Sequence, residues 1–233
     1  MTSAPIERPF GPGTLLTFDC YGTLIDWETG ILGGLRGGFP DLTNVADGDL
    51  LGAFHDVQNE LKTSEYRPYR DLLSEVAAAV AARYEAEGHA EPRRAARVPE
   101  SVPSWTPFGD TDRGLRRLDE AGVTLGILSN IDNDLLAGTL EHFDVTFSLL
   151  GTAQNLRSYK PAAPHFERGR EWAGEYDGWI HVAQSLFHDV APATALGIPV
   201  VWVNRKDEPL PEATRPVHVA PDLASAADWL LAS

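Results

Sequence analysis

Cysteine is almost missing from this chain of 233 residues: Cys20 stands alone. A single thiol excludes an internal disulfide framework and any cysteine-rich metal site, and it suits a reducing compartment, so a cytoplasmic location is expected. Long apolar runs are also lacking. The longest, such as Ala195–Val203, fall far short of the roughly 18 residues needed to cross a bilayer. Basic charge is scarce, with 19 Lys+Arg against 34 Asp+Glu and a formal net charge of −15. That balance repels phosphate backbones and anionic lipid, so neither nucleic acid nor a membrane surface is expected as a partner. Residues 1–13 carry Pro5, Pro9 and Pro12 and no apolar stretch. On that pattern no secretory leader of the usual form is expected, and the stretch reads as a loose N-terminal arm.

What is present is ordinary for a globular protein: 43% hydrophobic and 23% charged residues, which argues against disorder. A chain of this length buries roughly 70% of its unfolded surface without staples. No internal repeat is visible, and the short alanine-rich run at 77–82 is simply good helix former.

Four apolar, β-rich pieces recur: Thr14–Phe18, Val123–Leu128, Trp179–Ala183 and Pro199–Val203. Each is continuously hydrophobic rather than alternating, the pattern of strands buried on both faces of a parallel sheet. Helical patterns lie between them, one opening at Asp110-Thr-Asp112 and closing at Gly122, another running from Pro192 to Leu196 before Gly197. Strand–helix–strand alternation predicts an α/β fold with a Rossmann-like, doubly wound parallel sheet. Residues 28–105 break the rhythm with helical patterns over 49–61 and 69–87, the second striped by Leu72, Leu73, Val76, Val80 and Tyr84. The prolines at 92, 99, 103 and 107 mark a return linker. The expected organisation is a core of 14–27 and 106–233 with a helical cap at 28–105 inserted into it. A ligand cleft belongs between the cap and the carboxyl ends of the strands.

Polar side chains follow each strand immediately. Asp19 ends the first, Ser129 and Asn130 the second, and Gln184 and Ser185 the third, with Asp189 behind. Lys160 adds a cation after the apolar stretch 145–150. One aspartate after a strand is usually a turn residue, and one lysine before a proline is usually solvated; several converging on one sheet edge are harder to dismiss. A carboxylate held at a strand tip can act as a nucleophile. An ammonium beside it keeps it ionised and offsets the charge of a small anionic substrate. Ser and Asn groups can orient such a substrate, Gly22 permits close backbone approach, and Thr23 can brace the Asp19 loop.

The ordered set Phe18-Asp-Cys-Tyr-Gly-Thr-Leu24, Leu128-Ser-Asn130, Tyr159-Lys-Pro161 and Ala183-Gln-Ser-Leu-Phe-His-Asp189 resembles the four motifs of the haloacid dehalogenase superfamily, over about residues 14–205. In the superfamily's phosphatases a second aspartate, two residues beyond the nucleophile, protonates the leaving alcohol. Here that position is Tyr21. The Asp-x-Tyr-Gly-Thr form is similar to that of the L-2-haloacid dehalogenases, whose halide leaving group needs no proton. The resemblance implies that Asp19 attacks carbon 2 of a short (S)-2-haloacid and forms an ester, which water hydrolyses to the inverted 2-hydroxyacid. It implies that Lys160 and Asp189 position charge and water, Ser129 holds the carboxylate, Asn130 faces the halide, and Tyr21, Gln184 and Ser185 line the substrate site. No metal and no cofactor are implied, and homodimers are common in the family.

The departures are informative. Phosphatase fourth motifs begin Gly-Asp where this chain has Ala183-Gln184, so one magnesium-liganding carboxylate is gone. Dehalogenases of the usual kind carry Ser and Asn where Gln184 and Leu186 stand, and an aromatic at His188. Their cap supplies an arginine that grips halide or carboxylate. The corresponding stretch here, 51–61, offers His55, with Arg67 and Arg70 as substitutes or as solvated surface residues. Asp110 and Asp112 read as helix caps, His181 as a packed core residue, Cys20 as packing, and Asp26 and Trp27 as the mouth of the cleft. His188 either touches the site or is structural. The competing readings are a magnesium-dependent phosphatase using Asp19 and Asp189, and a silent binding protein that kept the fold.

Overall fold

In a computed structural model the chain is described over residues 10–61 and 65–232. Most of the expected N-terminal arm lies outside the described residues. The elements in chain order are β1 (Thr14–Phe18), α1 (Trp27–Gly38), α2 (Asp47–Leu61), α3 (Tyr69–Arg83), α4 (Pro92–Ala95), α5 (Arg97–Ser101), α6 (Thr111–Glu120), β2 (Thr124–Ser129), α7 (Asn133–Leu140), β3 (Leu149–Thr152), α8 (Ala153–Leu156), α9 (Pro164–Ala173), β4 (Gly178–Ala183), α10 (Ala191–Ala195), β5 (Val200–Val203), β6 (His218–Ala220) and α11 (Leu223–Leu231).

The six strands form one sheet, all pairs parallel, in the order β3-β2-β1-β4-β5-β6. β1 is buried along its whole length because strands flank it on both sides and helices cover both faces, which is why its sequence does not alternate. Strand order runs outward from β1 in one direction through β2 and β3, then restarts on its other side with β4. The crevice beyond β1 and β4 is therefore the topological switch point, where open α/β sheets bind ligands. This is a Rossmann-like α/β fold.

Five helices of the first half, α1 to α5, all fall between β1 and β2, and no strand occurs there among the described residues. Asp26 caps α1 through its carboxylate and Thr29 N–H at 3.2 Å. Trp105 lies flat across α1 at Gly30, where an added Cβ would meet the indole at 2.4 Å. The stem of this insertion is closed by short bridges from Ile25 to Tyr21 and to Pro107.

Several expectations shift. α3 ends at Arg83 rather than at 87, because Glu85 turns the chain with φ of 52° and folds Ala86 back into the core. β3 and β6 are additional edge strands of four and three residues. Asp110 does not cap α6: its carboxylate is taken by Arg205 at 2.8 and 3.0 Å and by Leu223 N–H at 2.7 Å, which ties α6 to the loop after β5 and to α11. Gly122 and Gly197 do end their helices, with φ of 76° and 68°.

Candidate active site

Asp19 follows the last residue of β1, and its backbone N–H donates to Val182 O of β4 at 3.1 Å, which fixes the carboxylate at the switch point. Gly22 turns the chain sharply with φ of 96°. That turn brings the Thr23 hydroxyl back to donate to Asp19 Oδ2 at 2.9 Å, while Thr23 Oγ1 itself accepts Gln184 N–H at 2.9 Å. Lys160 Nζ donates to Asp19 Oδ1 at 2.8 Å, to Asp189 Oδ1 at 2.6 Å and to the Leu128 carbonyl at 2.7 Å. All three ammonium protons are thus committed, on a side chain that is 2% exposed.

One ammonium serves two buried carboxylates, and they share it unequally. Burial lifts the Asp19 carboxyl, Lys160 pulls it back, and the nearby Asp189 charge helps leave it above its ordinary 3.8. Burial would lift Asp189 too, but Lys160 and the hydrogen bond from His181 hold it well below the usual carboxylate range. For Lys160, burial works against the charge, and the two carboxylates more than offset it, leaving it above 10.5. As pH falls, the proton goes to Asp19 first.

Ser129 is buried at the end of β2, its carbonyl hydrogen-bonded to His165 Nε2 at 3.2 Å. Asn130 clasps the Lys160 backbone, accepting its N–H at 2.6 Å and donating to its carbonyl at 3.1 Å. Its oxygen is therefore committed to positioning Lys160, and one amide N–H is left over. Gln184 accepts Trp202 Nε1–H at 2.9 Å through its own carbonyl. Ser185 caps the wide helical turn Leu186–Val190 by accepting His188 N–H at 3.0 Å, and that turn carries Asp189 under the strand ends. Tyr21 bonds through its hydroxyl to Thr139 Oγ1 at 2.8 Å and packs edge-on against Trp105. Burial pushes its phenol well above 10, so it is no acid for a leaving group.

A cleft of about 1220 Å³ opens over these groups, lined by Asp19, Ser129, Asn130, Lys160 and Gln184 below and by α2 and α3 above. His55 lines it, edge-on to Trp27 at 5.3 Å between ring centres. Arg67 reaches it as well, with its guanidinium on Glu75 at 2.7 Å. Arg70 does not line it: its guanidinium pairs with Asp134 on the far side of the α3 start, an ion pair that runs from the insertion to the core surface. Cys20 points into the core, and burial together with the Asp19 charge holds its thiol well above 9. His181 is more than packing. It touches both Thr17 and Asp189, at 2.9 Å each.

Residues without a motif signal also reach the cleft, namely Tyr66, Tyr69, Trp105 and Arg157, as do Tyr159 and Phe187 from within the third and fourth motifs. Arg157 lies over the Tyr66 ring at 4.5 Å, and the Tyr159 hydroxyl donates to the Arg67 carbonyl at 2.8 Å. Asp132, buried just after β2, accepts the N–H groups of Tyr69 and Arg70 at 3.0 and 2.8 Å. It thereby caps α3 from across the cleft, since Pro68 offers no side-chain cap. Tyr66, Tyr69 and Tyr159 meet ring against ring only in the fold, so the sequence carried no signal that grouped them.

The residues do not fit a magnesium ion. Two carboxylates face the cleft floor, Lys160 engages one oxygen of each, and Thr23 and His181 take up two further acceptor positions. No group of three or more His, Cys, Asp or Glu side chains suited to a metal occurs among the described residues. Of the four carboxylate oxygens only Asp189 Oδ2 lacks a donor, so a hard cation would have to displace the others to gain more than one carboxylate ligand.

The doubly wound parallel sheet with helices inserted after β1 is the fold of solved L-2-haloacid dehalogenases, and the chain resembles those enzymes in sequence as well. It is 29% identical over 131 residues to an (S)-2-haloacid dehalogenase of Pseudomonas putida, covering 55% of this chain and 58% of that protein. The chain thus spans somewhat over half the length of the curated relatives it matches. An L-2-haloacid dehalogenase structure superimposes with a TM-score of 0.79 at 21% identity, over 94% of this chain and 99% of the other. The L-2-haloacid dehalogenase of Xanthobacter autotrophicus with chloropropionic acid covalently bound gives 0.75 at 20% identity, over 93% and 97%. No family model matches the chain.

Proposed function

We propose that the chain is a hydrolytic dehalogenase of short (S)-2-haloacids, acting through an ester on Asp19 with residues 28–105 as its cap. The observation that carries the reading is the state of Asp19. Its two oxygens are held by Thr23 and Lys160, and the residue two beyond it is a phenol bonded to Thr139 rather than an acid. Such a site suits a leaving group that departs as a stable anion. The likeness to (S)-2-haloacid dehalogenases supports the same chemistry.

In this mechanism an Asp19 oxygen attacks carbon 2 from the side opposite the halogen, the carbon–halogen bond breaks, and halide leaves with the electron pair. Inversion follows from that geometry. Water then adds to the Asp19 carboxyl carbon and passes a proton to Asp189. Collapse breaks the bond to the substrate oxygen, which collects that proton and leaves as the hydroxyl of the 2-hydroxyacid. The remaining proton goes to solvent as the Asp19 carboxylate re-forms, now carrying the water oxygen. Lys160 would offset part of the charge of Asp19 and Asp189, leaving the substrate carboxylate to the cleft arginines. Ser129, with Tyr21, Gln184, Ser185 and His55 around it, would form the substrate pocket, and the spare amide proton of Asn130 would face the halide. Arg67 and Arg157 are better placed than Arg70 for the substrate carboxylate. A cytoplasmic homodimer belongs to the same reading and is checked by fractionation and sedimentation.

The test is to incubate purified protein with each enantiomer of 2-chloropropionate and with p-nitrophenyl phosphate, with magnesium or with EDTA. Halide release from the (S) enantiomer alone, unaffected by EDTA and abolished in Asp19→Asn, is expected. Magnesium-dependent phosphate release in its place would overturn the reading in favour of a phosphatase.

A further inference from the structure

A buried histidine that the mechanism above does not use lies one bond from the reacting groups. His181 sits in the middle of β4, fully buried, paired in register with Thr17 of β1. Its Nδ1 is 2.9 Å from Thr17 Oγ1, and its Nε2 is 2.9 Å from Asp189 Oδ1. The Trp179 indole, on the same face of β4, donates to Thr17 Oγ1 at 2.9 Å.

The direction of the protons is set from the carboxylate end of the row. Ionised Asp189 can only accept, so the imidazole proton resides on Nε2 and is donated to Asp189 Oδ1. With the proton on Nε2, Nδ1 accepts from the Thr17 hydroxyl, and the Trp179 indole N–H, which can only donate, occupies a lone pair of the Thr17 oxygen. Asp189 Oδ1 therefore receives two donors, His181 from the strand side and Lys160 from the cleft side. Asp189 Oδ2 receives none from any described protein group, although it is buried. A buried carboxylate oxygen without a protein donor demands one from solvent or ligand.

We propose that the row Trp179–Thr17–His181 positions Asp189, pinning Oδ1 so that Oδ2 is presented to the water that hydrolyses the Asp19 ester. His181 acts through Asp189 and is a positioning residue. The inference rests on the dehalogenase reading and refines it, because it separates the two half-reactions. Asp19 keeps its Thr23 and Lys160 partners when His181 is changed, so ester formation is spared. The loss falls on the hydrolytic step, since a carboxylate freed to rotate by about 1 Å at the reacting atoms costs on the order of 100-fold in rate.

Rapid-quench single turnovers with (S)-2-chloropropionate would follow halide and 2-hydroxyacid separately, with intact-protein mass reporting the ester. In His181→Leu the halide burst is expected within about 3-fold of wild type, while hydrolysis slows on the order of 100-fold and the ester accumulates. His181→Gln, which restores a side-chain N–H, is expected to recover part of the hydrolysis rate. Thr17→Val should fall between the two, because it frees the imidazole tautomer without removing the ring. Equal slowing of both steps, or unchanged hydrolysis in His181→Leu, would overturn the proposal. Nitrogen-15 NMR of the histidine rings in the wild-type protein decides independently of turnover. The His181 ring protonated on Nε2 is expected, and one protonated on Nδ1 alone overturns the proposal. If wild type releases no halide at all, the dehalogenase reading fails, while the NMR result still decides whether the row exists.

Discussion

Replacing Lys160 by methionine removes the single ammonium from between two buried carboxylates and keeps most of the side-chain volume. In the wild type its three protons go to Asp19, Asp189 and the Leu128 carbonyl, at 2.8, 2.6 and 2.7 Å. Deleting one partner of a buried ion pair costs about 3–5 kcal/mol, and this partner serves two acids. At roughly 2–4 °C per kcal/mol for a chain of this size, the melting temperature at pH 8 should fall by about 6–20 °C. The pH dependence follows from linkage. Without the ammonium both carboxyls rise above the ordinary 3.8, so the folded state binds more protons than the unfolded one and stability falls as pH rises. The variant should therefore recover part of its loss between pH 8 and pH 5. In the wild type the depressed Asp189 contributes fully above 3.8, and the raised Lys160 contributes fully below 10.5. Neither changes across that window, and Asp19 alone supplies a shallow slope of the variant's sign. Calorimetric melts at the two pH values, with halide release measured alongside, check this. A variant that melts within about 2 °C of wild type at pH 8 and does not recover at pH 5 would show that the ammonium is not what holds the two acids together.

Two further outcomes are expected. The acid limb of wild-type turnover should lie above 3.8, because it reports protonation of Asp19, and the alkaline side should show no loss from Lys160 until above 10.5; a pH profile of kcat/KM measures both. Asp132→Ala deletes the cap of α3 supplied from across the cleft and should cost about 1–2 kcal/mol, with faster amide exchange confined to Tyr69 and Arg70; unchanged exchange there would refute the capping role.

Sequence patterns reveal the centre of this sheet better than its edges, for a physical reason. β1, β2, β4 and β5 each have a strand on both sides and so appear as unbroken apolar runs. β3 and β6 are short and lie at the two edges, where Leu150 and Val219 are 40% exposed and the hydrophobic signal is diluted. The meeting of Asp19, Ser129 and Gln184 was legible because parallel strands all end at one sheet edge. The bond from His181 to Asp189 was not. It depends on the wide turn Leu186–Val190, which returns the chain beneath the strand it has just left, and no spacing rule encodes that path. Asp110 misled because a helix-start aspartate looks alike whether it caps or pairs; only the fold brings Arg205 beside it. Arg70 misled likewise, since Asp134 lies 64 positions away.

The unequal sharing of one cation also bears on traffic through the cleft. With both acids ionised, Asp19, Lys160 and Asp189 together carry one surplus negative charge, which would oppose the haloacid anion of the proposed reaction. Alkylation would convert Asp19 to an uncharged ester and cancel that surplus, so the tethered organic acid would sit in neutral surroundings for as long as the ester lasts. If the proposed reaction holds, regenerating free Asp19 would restore the repulsion as the hydroxyacid is released, and the same electrostatics that slow entry would hasten departure.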